Sequence, residues 1–151
     1  MLDATCDPIV TRHPGMLDLL RMVDHVAASD VPVLIHGETG TGKELVARAL
    51  HARSRRCREP LAVVHCAALP ESTVDAELFG HVGGAFTGAD RARKGRIAAA
   101  EHGTLFLDEV AEIPLTIQAK LLRFIQFHEI QRLGSDTTIK VELLSKHQLR
   151  T

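Results

Sequence analysis

The sequence predicts the α/β class, with a parallel sheet flanked by helices. Short apolar runs alternate with segments of helical periodicity along the 151 residues. A glycine-rich turn joins the first of these runs to a helix, and an acidic pair directly follows a later one. Parallel strands need crossover connections, so this alternation is the pattern expected of them. The length corresponds to a single domain.

The predicted elements of the first half follow one another in regular order. Apolar residues recur at helical spacing over residues 16–27, which indicates an amphipathic helix. A short apolar strand over residues 33–35 leads into the glycine-rich turn, and helical spacing returns over residues 45–50. A second strand is predicted over residues 61–64.

The second half continues the same pattern. Ser72 and Asp75 predict a capping box that opens a short helix ending at Phe79, and a glycine-rich loop follows over residues 80–88. A short helix over residues 96–101, a strand over residues 104–107 and a long helix over residues 114–128 come next. Residues 129–143 are predicted to form a hairpin that turns at residues 134–136.

Composition and charge exclude several classes of protein. Eighteen Lys and Arg against 19 Asp and Glu give a net charge of −1, so no general attraction to nucleic acid or membrane is expected. No apolar run is long enough to span a membrane, and Asp3 and Asp7 lie where a signal peptide would be basic. Three cysteines without CxxC spacing favour a reducing cytoplasm over a disulfide framework or a zinc site.

A phosphate-binding loop is predicted between the strand over residues 33–35 and the following helix. The backbone N–H groups of Gly40, Thr41 and Gly42 would surround phosphate oxygens, and Lys43 would reach the outer phosphates. The usual pattern ends in Ser or Thr, whereas this chain has Glu44, so an ordinary glycine-rich turn is the alternative. The predicted nucleotide-binding residues are Gly37, Glu38, Thr39, Gly40, Thr41, Gly42, Lys43 and Glu44.

An acidic pair stands at the carboxyl end of a predicted strand, where open α/β sheets bind their ligands. Asp108 would hold Mg²⁺ directly or through water, and Glu109 could act as the general base toward an attacking water. Acidic residues are also common in strand-to-helix turns. Together with the phosphate loop, however, the pair predicts a site for ATP and Mg²⁺.

The string GAFTGA lies between these two motifs and consists of Gly84, Ala85, Phe86, Thr87, Gly88 and Ala89. It resembles the signature loop of the sigma-54-dependent transcriptional activators, the bacterial enhancer-binding AAA+ ATPases. The blocks GETGTGKELVARALH, CAALPES, ELFGH, GTLFLDEV and QAKLLRFIQ are similar to blocks of that family in the same order. The resemblance covers about residues 14–141, and because Glu follows the phosphate-loop Lys in that family, Glu44 agrees with it.

The resemblance implies an AAA+ P-loop NTPase fold and an ATPase ring of several copies that remodels sigma-54 RNA polymerase. Residues 84–89 would contact sigma-54, with Phe86 as an exposed apolar anchor, Gly84 and Gly88 as hinges and Thr87 as a hydrogen-bonding group. A core phenylalanine beside a turn is the alternative for Phe86. The hairpin after residue 129 would be a second nucleotide-responsive loop beside this one.

One departure from the family pattern lies inside the predicted site. The family usually has Asn before the Cys of its NCAALPE block, where it is thought to hold the water-activating Glu. This chain has His65 before Cys66, and the charge of a histidine changes near neutral pH. We therefore expect His65 to act as a switch residue with altered coupling rather than lost nucleotide binding.

The other departure is at the C-terminus, where the chain reads ELLSKHQLRT after Val141. The family continues with a further strand, arginine fingers, a helical lid and commonly a DNA-binding domain, none of which matches here. We expect a partial AAA+ domain over residues 1–141, incomplete at the C-terminus, and a divergent tail over residues 142–151. Since arginine fingers contribute about 10³ to 10⁵ in rate, turnover should be weak. Loss of a strand from the middle of the sheet should make the fold marginal and prone to association.

Three functions remain open from the sequence. The first is a sigma-54 interaction and ATPase module that is completed by partner subunits or by a longer protein. The second is a non-enzymatic remnant that binds nucleotide or sigma-54 without turnover. The third is a different P-loop NTPase, such as a chelatase or a helicase loader, which the GAFTGA string disfavours.

Overall fold

The structure is a computed structural model that describes residues 9–142 of the chain. Five α-helices lie within this range. The helices predicted over residues 16–27, 96–101 and 114–128 are confirmed to within two residues at each end. Single 3₁₀ turns cover Cys66–Ala68 and Val110–Glu112. The helices are α1 (Pro14–Ala27), α2 (Lys43–Arg53), α3 (Val74–Phe79), α4 (Arg96–Ala99) and α5 (Leu115–Phe127).

Six short strands accompany these helices in the described range. They are β1 (Leu61–His65), β2 (Gly80–His81), β3 (Arg93–Lys94), β4 (Thr104–Asp108), β5 (Glu129–Gln131) and β6 (Thr138–Lys140). The pair of β1 and β4 is parallel, whereas the other two pairs, β2 with β3 and β5 with β6, are antiparallel. The α/β class with a parallel sheet flanked by helices is confirmed, as is the C-terminal hairpin. The glycine-rich loop predicted over residues 80–88 is wrong at its first two residues, because they form β2, which pairs with β3.

The predicted strand over residues 33–35 is wrong, because the segment pairs with none of the described strands. A strand needs a neighbour for its backbone N–H and C=O groups, and none of the described strands supplies one here. Val33 is 47% exposed and Leu34 is 88% exposed. The segment is therefore apolar in composition, but the rest of residues 9–142 does not bury it.

The predicted capping box at Ser72 is also wrong. The residue before α3 is Thr73, and no side chain caps this helix end. The carbonyl of Pro70 instead accepts the N–H groups of Thr73 and Val74, at 3.0 and 2.9 Å. This turn gives the N–H groups at the start of α3 an acceptor without a capping side chain.

The core joins β1, α3, α4, α5 and the C-terminal hairpin into one apolar cluster. Its largest fully buried side chains are aliphatic except for Phe79 and Cys66, as expected for a chain without Trp or Tyr. Val141, just after the hairpin, is buried in this cluster, and the Glu142 carbonyl accepts the N–H of His102 at 2.6 Å. The rest of the predicted divergent tail, residues 143–151, lies outside the described residues.

His51 connects the end of α2 to the start of β4. Its Nδ1 lies 2.9 Å from Oγ1 of Thr104. Burial lowers the pKa of His51, and a hydrogen bond with the backbone of Glu59 opposes this effect only in part. As the pH falls, the unfolded chain therefore takes up this proton before the folded chain does. The contribution of His51 to stability is complete above the ordinary histidine pKa of about 6.5 and is lost as the pH falls through the lower folded value.

We expect His51→Gln to make the free energy of unfolding less sensitive to acid between about pH 7.5 and about pH 5.5. Urea unfolding followed by circular dichroism at both pH values measures this change. His25→Gln is the matched control, because His25 lies in the last turn of α1 as His51 lies in the last turn of α2, but is exposed. The expectation would be contradicted if the free energy of unfolding fell by the same amount between the two pH values in the native chain and in His51→Gln.

Candidate functional site

The glycine-rich turn before α2 has a backbone that requires glycine. Gly40 and Gly42 have φ angles of 81° and 85°, a left-handed conformation that residues with a Cβ rarely adopt. Thr41 closes the turn, since its N–H and its hydroxyl both donate to the Glu38 carbonyl, at 3.4 and 2.7 Å. Helix α2 begins directly afterwards at Lys43. Its first N–H groups have no acceptor within the helix, which suits this helix end to an anion.

The Lys43 ammonium bridges this turn. Nζ donates to the carbonyl oxygens of Gly37 at 3.1 Å and of Glu38 at 2.8 Å. Hydrogen bonds between oppositely charged groups are stronger than those to a neutral carbonyl. Lys43 can therefore exchange these carbonyl contacts for contacts with a phosphate.

The parallel pairing of β1 with β4 brings His65 and Asp108 to the same edge of the sheet, where they are direct register partners. Nδ1 of His65 lies 3.5 Å from Oδ2 of Asp108, and Nε2 lies 3.7 Å from Oε2 of Glu44. One imidazole thus lies between the acidic end of the sheet and the first turn of α2. The structure brings Glu44, at the end of the predicted phosphate loop, and Asp108 to two sides of the same ring.

Glu44 is held in place by an ion pair within α2. Nε and Nη2 of Arg48 donate to Oε1 of Glu44 at 2.9 and 2.6 Å, and Oε2 is the oxygen that faces His65. Arg48 is a site residue that the motifs do not reveal. The signal that could have found it is the spacing of Glu and Arg four residues apart on a predicted helix.

Glu109 follows Asp108 in a left-handed conformation, with φ of 53°, and its side chain is exposed. Such a backbone costs about 1–3 kcal/mol and is found most often at functional sites. Cys66, after β1, is buried nearby. Burial raises the pKa of the Cys66 thiol, and the carboxylates of Asp108 and Glu109 raise it further. Cys66 is therefore a neutral thiol beside two acidic groups.

The contacts of His65 differ from those that the resemblance implies. The residue at this position of the family would hold the water-activating Glu, a role that the resemblance assigns to Glu109. Within residues 9–142, the ion-pair contacts of His65 are with Glu44 and Asp108, and none is with Glu109. The reason is the register: Asp108 pairs with His65, whereas Glu109 turns the chain out of the strand.

The donor groups at this edge fit a cation that a nucleotide brings with it. Asp108 offers a carboxylate that is 24% exposed, and carboxylate oxygens are ligands that Mg²⁺ prefers. No group of three or more His, Cys, Asp or Glu side chains among residues 9–142 could hold a metal ion on its own. A cation here would need further oxygen ligands from phosphate and water, which is the usual situation of Mg²⁺ in nucleotide sites.

Residues 84–89 form a closed turn. The N–H of Gly84 donates to the Ala89 carbonyl at 2.7 Å, and the N–H of Ala89 donates to the Phe86 carbonyl at 3.0 Å. The Phe86 ring packs edge-on against His81, with ring centroids 5.0 Å apart and planes at 69°. Phe86 nevertheless remains 43% exposed, so it is neither a core residue nor a freely projecting side chain.

The remaining residues of this turn differ in their exposure to solvent. Thr87 and Gly88 are exposed, whereas Ala89 is buried, so its side chain is not available to a partner in this conformation. His81, against which Phe86 packs, is buried. It ends the ELFGH block that resembles the family, but that block does not predict a contact with Phe86.

The C-terminal hairpin supports the base of this turn. The N–H of Val82 donates to the Leu133 carbonyl at 3.1 Å, and the N–H of Leu133 donates to the Gly80 carbonyl at 2.9 Å. A Cβ at Gly134 would lie 2.8 Å from Cβ of Ala85, which is closer than side chains pack. The hairpin and the turn are therefore in direct contact, and a shift of one displaces the other.

Comparison with known families gives one match that covers most of the chain. The sequence model of the family described as Sigma-54 interaction domain matches residues 9–145. The anaerobic nitric oxide reductase transcription regulator NorR of Escherichia fergusonii is 57% identical over 130 residues, which are 86% of this chain and 26% of that protein. The regulatory protein LuxO of Vibrio cholerae is 58% identical over 139 residues, 91% of this chain and 26% of that protein. The chain spans about a quarter of the length of these curated relatives.

Solved structures agree with this match. NtrX from Brucella abortus in complex with ADP superposes with a TM-score of 0.81 at 33% identity, covering 91% of this chain and 29% of that one. The complex of NtrX with ATP gives 0.80 at 33% identity, with coverage of 89% and 28%. Among the helices of residues 9–142, none has the length and apolar character needed to cross a membrane.

Proposed function

Because the chain belongs to the family of sigma-54 interaction domains, we propose that it is the ATP-binding module of a transcriptional regulator that contacts sigma-54 RNA polymerase. ATP with Mg²⁺ would bind between the start of α2 and the end of β4, and residues 84–89 would contact sigma-54. A protein that acts on RNA polymerase would work in the cytoplasm. The observation that carries the proposal is the position of His65 between Glu44 and Asp108, because it joins the two halves of the predicted nucleotide site.

The phosphates would lie at the glycine-rich turn. Its left-handed glycines leave room for an anion beside the backbone, and the N–H groups at the start of α2 would donate to phosphate oxygens. Lys43 would turn its ammonium from two carbonyls to the outer phosphates. The complexes of NtrX with ADP and ATP, which share this fold, support nucleotide binding by such a domain.

The acidic end of β4 would serve the outer phosphate. Asp108 would hold Mg²⁺ directly or through water, and the bound cation would neutralise phosphate charge. Glu109 is exposed at the same edge and would orient and deprotonate a water molecule. The neutral thiol of Cys66 takes no part in this charge arrangement.

Residues 84–89 would transmit the state of the site to sigma-54. Phe86 offers an apolar ring that is already partly exposed, and Gly84 and Gly88, at φ of 77° and 93°, allow the turn to open. The hydrogen bonds of Leu133 with Gly80 and Val82 connect the hairpin to the segment before the turn, and Gly134 lies against Ala85 in the turn itself. A movement of the hairpin would therefore reach Phe86 through direct contacts, in a single chain or in a ring of copies.

We expect Lys43→Ala to weaken ATP–Mg²⁺ binding by at least about tenfold, because it removes a charge-assisted contact with phosphate. Isothermal titration calorimetry measures the dissociation constant. Lys94→Ala is the matched control, since Lys94 is an exposed lysine on β3. Equal affinity of the native chain and Lys43→Ala for ATP–Mg²⁺, or no binding by the native chain at millimolar ATP, would contradict the proposal.

We expect Phe86→Ala to weaken binding to purified sigma-54 by about 2 kcal/mol or more, roughly 30-fold, as truncation of a central apolar anchor does. Biolayer interferometry with immobilised sigma-54 in the presence of ATP and Mg²⁺ measures this affinity. Phe127→Ala is the control, because Phe127 is also an exposed phenylalanine, at the end of α5. A loss that is equal in both variants would mean that residues 84–89 are not the contact.

A second candidate function is nucleotide binding without appreciable turnover. Among the described residues, the arginine in contact with the site is Arg48, and its guanidinium is already paired with Glu44. No second guanidinium in residues 9–142 contacts Lys43, Glu44 or Asp108 to stabilise the charge that develops on a transferring phosphoryl group.

For the 151-residue chain alone we therefore expect kcat for ATP hydrolysis below about 10⁻² s⁻¹, in the range of phosphoryl-transfer sites that lack a catalytic arginine. A phosphate-release assay with saturating ATP and Mg²⁺ measures the rate, and Glu109→Gln gives the background. A rate well above that value, abolished by Glu109→Gln, would favour an active ATPase.

A further inference from the structure

His65 lies beside Asp108, the carboxylate that the proposed nucleotide site offers to a cation. We propose that His65 binds this cation through Nδ1 together with Asp108, and that the site consequently prefers a first-row transition-metal ion such as Mn²⁺ to Mg²⁺. This inference rests on the proposed nucleotide site and adds the identity of its metal.

The separation of the two donor atoms fits a shared cation. Nδ1 of His65 and Oδ2 of Asp108 are 3.5 Å apart. Adjacent ligands of a six-coordinate cation lie roughly 3 Å apart when each metal–ligand distance is about 2.1 Å. The two residues are register partners on neighbouring strands, so the sheet itself fixes their spacing. The His65 side chain is 52% exposed and thus open to a bound ligand.

The other ring nitrogen lies near a carboxylate, the type of partner that metal-binding histidines usually have, although the separation of 3.7 Å is longer than a hydrogen bond. Such histidines commonly direct their second N–H toward a carboxylate, which fixes the tautomer and the orientation of the ring. Nε2 of His65 faces Oε2 of Glu44 at 3.7 Å, while Arg48 holds Oε1 of the same carboxylate. Arg48, Glu44 and His65 therefore form a chain of contacts that leaves Nδ1 directed toward Asp108.

The donor chemistry determines which cation is favoured. Mg²⁺ takes oxygen ligands and gives up water reluctantly, whereas imidazole nitrogen is a good ligand for Zn²⁺, Cu²⁺, Fe²⁺ and Ni²⁺. Mn²⁺ is the weakest binder of this first-row series, but it still accepts nitrogen better than Mg²⁺ does. The asparagine that the family usually has at this position would offer an amide instead. Because residues 9–142 contain no cluster that binds a metal unaided, the preference should appear only with nucleotide present.

Pulsed electron paramagnetic resonance of Mn²⁺ with ATP and the full chain tests the ligand directly. We expect nitrogen couplings to Mn²⁺ that shift to ¹⁵N frequencies when histidine alone is ¹⁵N-labelled and that disappear in His65→Asn and His65→Ala. Calorimetry should show that the ratio of Mn²⁺–ATP to Mg²⁺–ATP affinity falls by about tenfold or more in His65→Asn, and that Mn²⁺ without ATP does not bind. Glu44→Gln should lower the ratio by a smaller factor.

His36→Asn is the matched control, because His36 is an exposed histidine directly before the glycine-rich turn, and it should change neither measurement. The inference would be overturned if Mn²⁺–ATP bound to the native chain without a histidine coupling. It would also be overturned if His65→Asn changed neither the coupling nor the ratio of Mn²⁺–ATP to Mg²⁺–ATP affinity. Either result would leave the nucleotide site intact. Failure of the native chain to bind either metal–ATP complex would overturn the proposed function and this inference with it.

Discussion

The site depends on the parallel pairing of β1 with β4. This pairing sets His65 and Asp108 side by side as the last register pair, where both strands end. Helix α2 packs close to β4, and its first turn brings Glu44 to the other side of the His65 ring. A shift of one residue in the register would move His65 away from Asp108 and turn alternate side chains to the opposite face. The backbone ladder therefore places His65 beside Asp108, and the His65 ring then connects this edge of the sheet to Glu44 on α2.

Local patterns were sufficient to predict most of the elements and the position of the turn before α2. The periodicity of α1 and α5, the apolar runs of β1 and β4, and the glycines at positions 40 and 42 each carry their own physical reason within a few residues. The family resemblance is confirmed by the match over residues 9–145. Each of these predictions rests on residues close together in sequence.

What the sequence did not predict depends on neighbours that are distant in sequence. Residues 33–35 have strand composition, but a strand also needs a partner, and none of the described strands provides one. The cap of α3 was misassigned because the helix begins after Thr73, where the Pro70 carbonyl accepts the N–H groups of Thr73 and Val74. The contacts of His65 with Glu44 and Asp108 arise only after strand and helix have come together, so no spacing rule along the chain reveals them.

The edge-on contact of Phe86 with His81 has a consequence for selectivity. An aromatic pair of this kind contributes about 0.5–1.5 kcal/mol beyond the area it buries. A protein that draws Phe86 into its own pocket has to break this contact first, which lowers its apparent affinity by roughly two- to tenfold. Shallow, unspecific apolar surfaces in a crowded cell do not offset that loss, whereas a well-shaped pocket does. The contact with His81 would therefore weaken unspecific binding of the exposed Phe86 ring to other apolar surfaces.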